Sequence, residues 1–208
     1  MTTEADDIVA VGGDLEPSTL LEAYHSGIFP WPADGVPILW FCPRKRAILE
    51  FESMHIARRV RRARRTLDFH CTIDRAFSRV IRACAEAPRP EQDGTWITDE
   101  MIRGYERLHV LGHAHSVEAW SGERLVGGTY GVDSGGAFSA ESMFHLESYA
   151  SQFALLHLVE HLWEKGLGWL DIQMLTPHME RMGAIEVSRE GYLERLQREQ
   201  ESVRELFP

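Results

Sequence analysis

The sequence predicts an α+β fold, and three observations carry that expectation. Residues 115–145 read as three strands in succession, "HSVEAW", "RLVGGTYGV" and "AFSAESMFH", parted by the turns "SGE" and "DSGG"; this is the pattern of an antiparallel meander. A long apolar helix over about 148–165 follows, then an apolar strand at Trp169–Leu175, a short turn, the strand "AIEVS" and a charged terminal helix. Ahead of the meander stand stretches with helical spacing. Grouped strands joined to interleaved helices give an α+β layout with a mixed, mainly antiparallel sheet.

Along the chain, "EPSTLLEAYHSG" reads as a helix with Pro17 in its first turn and Gly27 closing it. The next stretch, "IFPWPADGVPILWFCP", has too many prolines for a helix and reads as a rigid aromatic-lined loop entering the strand "RAILEF". A small N-terminal α/β domain over 1–53 and a larger domain over 54–208 are expected. In the larger domain "MHIARRVRRARRTL", "TIDRAFSRVIRACAEA" and "TDEMIRGYERLHVLG" are expected as helices, the last two parted by a break at "APRPEQDG".

With 208 residues, 44% of them apolar, the chain is long enough to bury a substantial core. No apolar run approaches the ~18 residues of a membrane span, and the acidic start lacks the basic and apolar regions of a signal peptide. Three cysteines, odd in number and without a CxxC pair, point to reduced thiols and a cytoplasmic protein rather than a disulfide frame or zinc ribbon.

The net charge of −10 gives no global attraction to polyanions. Against it stand arginines 58, 59, 61, 62, 64 and 65. In a helix Ile56, Val60, Ala63 and Leu67 form one apolar stripe and the arginines cover the rest. Two readings stay open: a solvated amphipathic helix, or a phosphate-contacting helix whose uncompensated charges await an anion.

Several motifs compete for the chemistry. "HLVEH", His157 to His161, fits a zinc-peptidase pattern, but leucines surround both histidines and only 47 residues remain for a third ligand. The pattern reads as chance, and "HAH" at 113–115 is equally thin. "GGTYG" lies within a strand rather than opening a helix, so it is no phosphate cradle. Glu141, followed by Ser142, Met143 and Phe144, would place a carboxylate at the lip of an apolar pocket; a carboxylate facing water is the alternative. Asp171 and Gln173, two apart on a strand, would share a face, as a catalytic pair or as a buried structural hydrogen bond. Trp40 and Trp96 stand in loop-like surroundings, where either could line a site or fill the core.

Taken together, "GGDLEPSTLLEAYHSGIFPWP", "ILWFCPRKRAILEF", "MHIARRVRR", "TWITDEM", "YERLHVLGHAHSVEAW", "LVGGTYGV", "FSAESMF" and "DIQMLTPHMERMGA" resemble the bacterial leucyl/phenylalanyl-tRNA–protein transferase family over nearly the whole chain. The resemblance implies a GNAT-like catalytic domain that transfers leucine, phenylalanine or methionine from aminoacyl-tRNA to proteins beginning with lysine or arginine, marking them for degradation. It implies no cofactor, no metal and no membrane, and a monomer is expected. The absence of glycine from "FHLESYAS", where a GNAT fold holds coenzyme A, agrees. By the same resemblance Asp171 and Gln173 are catalytic, and Glu141 holds the donor's α-amino group. Trp40 and Trp96 line the aminoacyl-adenosine site, while Arg58, Arg61, Arg62 and Arg65 face the tRNA. A larger apolar residue is usual where Thr129 stands, so donor preference is expected to shift. Arg44 and Lys45 replace acidic character and bear on acceptor choice.

The expected mechanism gives Asp171, in apolar surroundings, a raised pKa; it polarises Gln173, which orients the attacking amine. Alternatives are a GNAT-like transferase with another donor or acceptor, a zinc peptidase, and a noncatalytic tRNA-binding protein.

Overall fold

The computed structural model describes residues 5–32, 35–88, 96–202 and 204–207. Most of the break expected over 87–94 lies outside them. The first strands, β1 (Ile8–Val11), β2 (Phe29–Trp31) and β3 (Leu39–Phe41), form a small antiparallel sheet in the order β1-β3-β2. The aromatic segment expected as a loop therefore contributes two strands. Each is three residues long, too short to show a period of two, and Pro30 is tolerated because β2 is an edge strand. Between β1 and β2 runs helix α1 (Pro17–His25), which buries Leu20, Ala23 and Tyr24. Gly27 ends it with φ 74°, and a Cβ there would lie 2.7 Å from Leu193 Cδ2. Both the turn and the packing require glycine.

Strand β4 (Lys45–Glu50) belongs to a second, seven-stranded sheet. The chain thus changes sheets between Phe41 and Lys45, upstream of the domain limit expected after residue 53. Helix α2 (Arg58–Thr66) carries the arginines and buries Val60 and Ala63. Strand β5 (Phe69–Ile73) follows, so Thr72 and Ile73 are extended rather than the start of a helix; α3 (Phe77–Glu86) begins later. The buried carboxylate of Glu118 ties these pieces together, accepting hydrogen bonds from Thr72, from Ser116 and from the backbone N–H groups of Arg75 and Ala76. Helix α4 (Asp99–Val110) is capped by Thr98, whose hydroxyl accepts from Met101 N–H.

The meander is as expected: β6 (Ala114–Ser121), β7 (Arg124–Asp133) and β8 (Phe138–His145). Helix α5 (Ala150–Glu164) crosses to β9 (Trp169–Gln173), and a short helix α6 (Pro177–Glu180), β10 (Ile185–Ser188) and α7 (Arg189–Glu201) complete the chain. The large sheet runs β10-β4-β9-β8-β7-β6-β5, antiparallel except for the β8–β9 pair. This is the mixed, mainly antiparallel α+β sheet that the sequence predicts. One apolar core gathers α5 and α7 against the sheet, with Leu155, Leu158, Leu162 and Leu196; another gathers α1, α3 and α4, with Leu20, Val80, Ile81 and Met101. At Gly127 a Cβ would come within 2.6 Å of Ala150 Cβ, so α5 seats directly on β7. The three cysteines are free thiols. No helix among the described residues is long and apolar enough to cross a membrane.

Candidate active site

A bulge aims the first carboxylate. Gly131 and Tyr130 are neighbours on β7 but pair with Ala140 and Ser142, so Glu141 is the extra residue of β8. Such a residue escapes strict alternation and can be re-aimed. Its Oε1 accepts hydrogen bonds from Tyr24 OH and from Gln173 Nε2, both at 2.6 Å, and Tyr105 donates in turn to the Tyr24 hydroxyl. Oε2 is buried without a partner among the described residues.

Strand β9 carries a second bulge. Ala47 and Ile48 of β4 pair with Gln173 and Asp171, which leaves Ile172 over. Gln173 sits at φ 62°, a left-handed conformation that costs a non-glycine residue on the order of 1 kcal/mol or more. Its N–H donates to Asp171 Oδ1 at 2.9 Å, which holds the turn. The parallel pairing of β8 with β9 places Ser139 opposite Asp171. Two residues further along each strand, Glu141 and Gln173 meet through their side chains. Asp171, Gln173 and Glu141 therefore form one cluster.

The two carboxylates in it have opposite surroundings. Asp171 receives Arg46 Nε at 2.8 Å and Nη2 at 2.7 Å, Ser139 Oγ at 2.8 Å and Tyr192 OH at 3.0 Å. Arg46 and Asp171 are each 1% exposed, and the guanidinium lies between the rings of Phe29 and Tyr192. Burial by itself would raise the Asp171 pKa, but the charge and hydrogen bonds of Arg46, with those of Gln173 N–H and Ser139, hold it below the usual carboxylate range. This corrects the expectation of a raised pKa at Asp171. Glu141 is the group pushed up, to about 7: burial raises it, Asp171 adds to the rise, and the hydrogen bonds from Tyr24 and Gln173 and the Arg46 charge offset only part.

The remaining candidates divide. Met143 packs toward the α5 core and Phe144 toward the α3–α4 core. Thr129 is buried opposite Met143, its hydroxyl bonded to the Ser142 carbonyl. Trp40 is 5% exposed, with Nε1 bonded to the Gly12 carbonyl, and packs in the core shared by α1, α3 and α4. The aromatic beside Trp96 is the half-buried Trp31, its ring centroid 5.5 Å away. Trp31 was legible in "GIFPW" only as one aromatic among many. On α2, Arg58, Arg61, Arg62 and Arg65 are exposed, whereas Arg64 makes a bidentate pair with Glu160. Both histidine motifs hold the C-terminal segment: His161 Nε2 donates to the Leu206 carbonyl, and Phe207 stacks on His115 at 3.9 Å. Among the described residues no three potential metal ligands gather.

Two family profiles match the chain: the leucyl/phenylalanyl-tRNA protein transferase profile over residues 48–197, and the profile of that family's N-terminal domain over 13–44. The chain belongs to the leucyl/phenylalanyl-tRNA–protein transferase family. Relatives bearing the family name include a protein of Nitratidesulfovibrio vulgaris, 50% identical over 90% of this chain and 80% of that one. Another, from Anaeromyxobacter sp., is 50% identical over 94% of this chain and 83% of that one. Among solved structures the chain is similar to L-PGS from Bacillus licheniformis, with 13% identity, a TM-score of 0.44, and 82% of this chain and 57% of that one covered. The two transferase profiles part between residues 44 and 48, where β4 of the large sheet begins. Tyr24 lies in one match, Glu141 and Gln173 lie in the other, and Arg46 stands at the junction.

Proposed function

We propose that Glu141 receives the donor's α-amino group at Oε2, that Gln173 aligns the acceptor amine, and that Asp171 fixes Gln173 instead of carrying a proton. As a family member the chain is an aminoacyltransferase that moves leucine or phenylalanine from aminoacyl-tRNA to proteins. Methionine as a further donor, and acceptors beginning with lysine or arginine, follow from the family likeness. The observation that carries the residue roles is Oε2 itself: a buried acceptor with no partner among the described residues, on a carboxylate whose other oxygen is saturated. A buried carboxylate in that state calls for a cationic ligand.

The chemistry needs no covalent enzyme intermediate, because the aminoacyl ester is already activated. The acceptor's nitrogen bonds to the ester carbonyl carbon, the ester C–O bond breaks, and the proton lost by nitrogen goes to the departing ribose oxygen. Positioning is then the enzyme's main contribution. Gln173 gives its amide N–H to Glu141, which leaves its carbonyl oxygen to accept from the incoming amine.

Transfer of labelled leucine and phenylalanine from tRNA to lysine- and arginine-initiated peptides tests this reading. The rate is expected to rise with pH in two steps. One lies near the value of about 7 at Glu141. The other reflects an acceptor amine of typical pKa ~7.7–8.0. Glu141→Gln should remove the lower step, and a profile that keeps it would transfer the role elsewhere.

Trp31 and Trp96 form the aromatic pair that would hold the terminal base. Trp31→Ala is expected to weaken aminoacyl-adenosine binding by about 1–3 kcal/mol with little change in melting temperature. Trp40→Ala should instead destabilise the fold by about 3–5 kcal/mol. Ligand titration and thermal melts of the two variants separate the roles.

A further inference from the structure

Helices α2, α5 and α6 border a cavity of about 280 Å³ that none of the catalytic cluster's residues lines. Its polar lining is His55, Arg59, Gln152, His178 and Arg181, and its floor includes the buried Val60 and Leu156. Among the described residues no carboxylate lines it. Neither Arg59 nor Arg181 has an ion pair or side-chain hydrogen bond among the described residues, whereas Arg64 on the same helix α2 is fully engaged with Glu160. His178 is held below its usual pKa by burial first and then by Arg181, His145 and Arg59. On a chain of net charge −10, two guanidiniums with no carboxylate partner among the described residues are a local exception; they stand ready for an anion.

The position of the cavity narrows the choice of anion. His145 ends β8 four residues beyond Glu141, and α6 begins four residues beyond Gln173. At about 3.3 Å per strand residue, His145 lies about 13 Å along β8 from Glu141, and it acts electrostatically on His178 in the cavity lining. The cavity therefore flanks the carboxyl ends of the two parallel strands, the side on which open sheets collect ligands. The exposed arginines of α2 continue from its rim.

We propose that this cavity seats a backbone phosphate of the donor RNA's single-stranded 3′ end, with Arg59 and Arg181 on the phosphate oxygens and His55 and His178 donating beside them. The assignment rests on the transferase reading and extends it to the part of the donor beyond the terminal nucleoside. Charge-assisted bonds from a guanidinium to a phosphate oxygen are roughly twice as strong as neutral ones.

Titration of an uncharged RNA trinucleotide into the full-length protein tests the proposal, with the variants Arg59→Ala/Arg181→Ala and Arg59→Lys/Arg181→Lys alongside. Both arginines are exposed, and melting temperatures confirm that each variant is folded. The alanine pair is expected to bind about tenfold more weakly. Its log K against log salt should be shallower by about 0.7 for each phosphate no longer neutralised. The lysine pair should keep the slope while losing part of the affinity, because it retains charge without the guanidinium fork. Inorganic phosphate should displace the trinucleotide from the wild-type protein. Unchanged affinity and slope in the alanine pair overturn the proposal. It also falls if phosphate binds the cavity without displacing RNA, since the site then serves a free anion. The readout uses uncharged RNA, so a protein that binds it as expected but forms no peptide bond would defeat the catalytic reading and leave this one standing.

Discussion

Replacing Arg46 with methionine is expected to lower the unfolding free energy by about 3–5 kcal/mol, because it strands a buried carboxylate without its counter-charge. Asp171 would keep Ser139, Tyr192 and the Gln173 N–H as neutral donors, but none neutralises it. The pH dependence should also change sign. In the wild type the folded Asp171 pKa is depressed, so its stabilisation is present above an unfolded value of about 3.9 and lost as pH falls through the folded one. Without Arg46, burial alone raises the folded pKa, and the variant should become more stable as pH falls through that raised value. Adding Asp171→Leu should recover a good part of the loss, since an apolar pair of similar volume often replaces a buried ion pair at little cost. Urea titrations at two pH values check all three outcomes; a loss under about 1 kcal/mol in the single variant would show that the pair is not what holds β4 to β9. Transfer activity should fall with stability, because the Asp171 carboxylate holds Gln173 in its left-handed turn.

Glu141→Gln is expected to separate activity from stability. Removing one partner of a buried charge pair costs about 2–5 kcal/mol, so kcat/KM for the aminoacyl donor should fall by roughly 30-fold or more. Stability should move the other way. The Glu141 pKa is raised from 4.5 to about 7, so the folded chain retains a proton that the unfolded chain releases between those values. Stability is therefore lost as pH rises through that window. A glutamine keeps an oxygen for Tyr24 and Gln173 and does not titrate. At pH 8 the variant should be more stable by up to about 3 kcal/mol, and the advantage should close below pH ~4.5. Denaturation curves at both pH values, beside transfer assays, decide the matter. A variant less stable at pH 8 would mean that the charge is already compensated in the free protein. Functional sites commonly hold such uncompensated groups at a cost to the fold.

Local pattern made much of this molecule legible. The three meander strands, α4, α5 and the terminal helix follow directly from their periodicity, and the arginine helix from its apolar stripe. Strands β2 and β3 did not, because three residues give no period to read. Strand β5 was absorbed into the helix after it, since Thr72 and Ile73 suit either conformation until pairing with β6 decides. "RAILEF" likewise shows a strand, but nothing local says that it joins the seven-stranded sheet.

At the site, Glu141, Asp171 and Gln173 stood out as polar groups in apolar strands, and the motifs around them pointed to the family. Trp40 and Trp96 read alike from the sequence, each in loop-like surroundings; only the fold shows that the Trp40 indole bonds the Gly12 carbonyl and that Trp31 lies against Trp96. The sequence by itself determined the order of the elements, the polar groups they carry and the family likeness. The tertiary structure alone decided which carboxylate is free. Arg46, 125 positions from Asp171, neutralises one, and a bulge leaves the other half-satisfied among tyrosines. A side chain's charge follows the groups within a few ångströms of it, and those neighbours are set by folding.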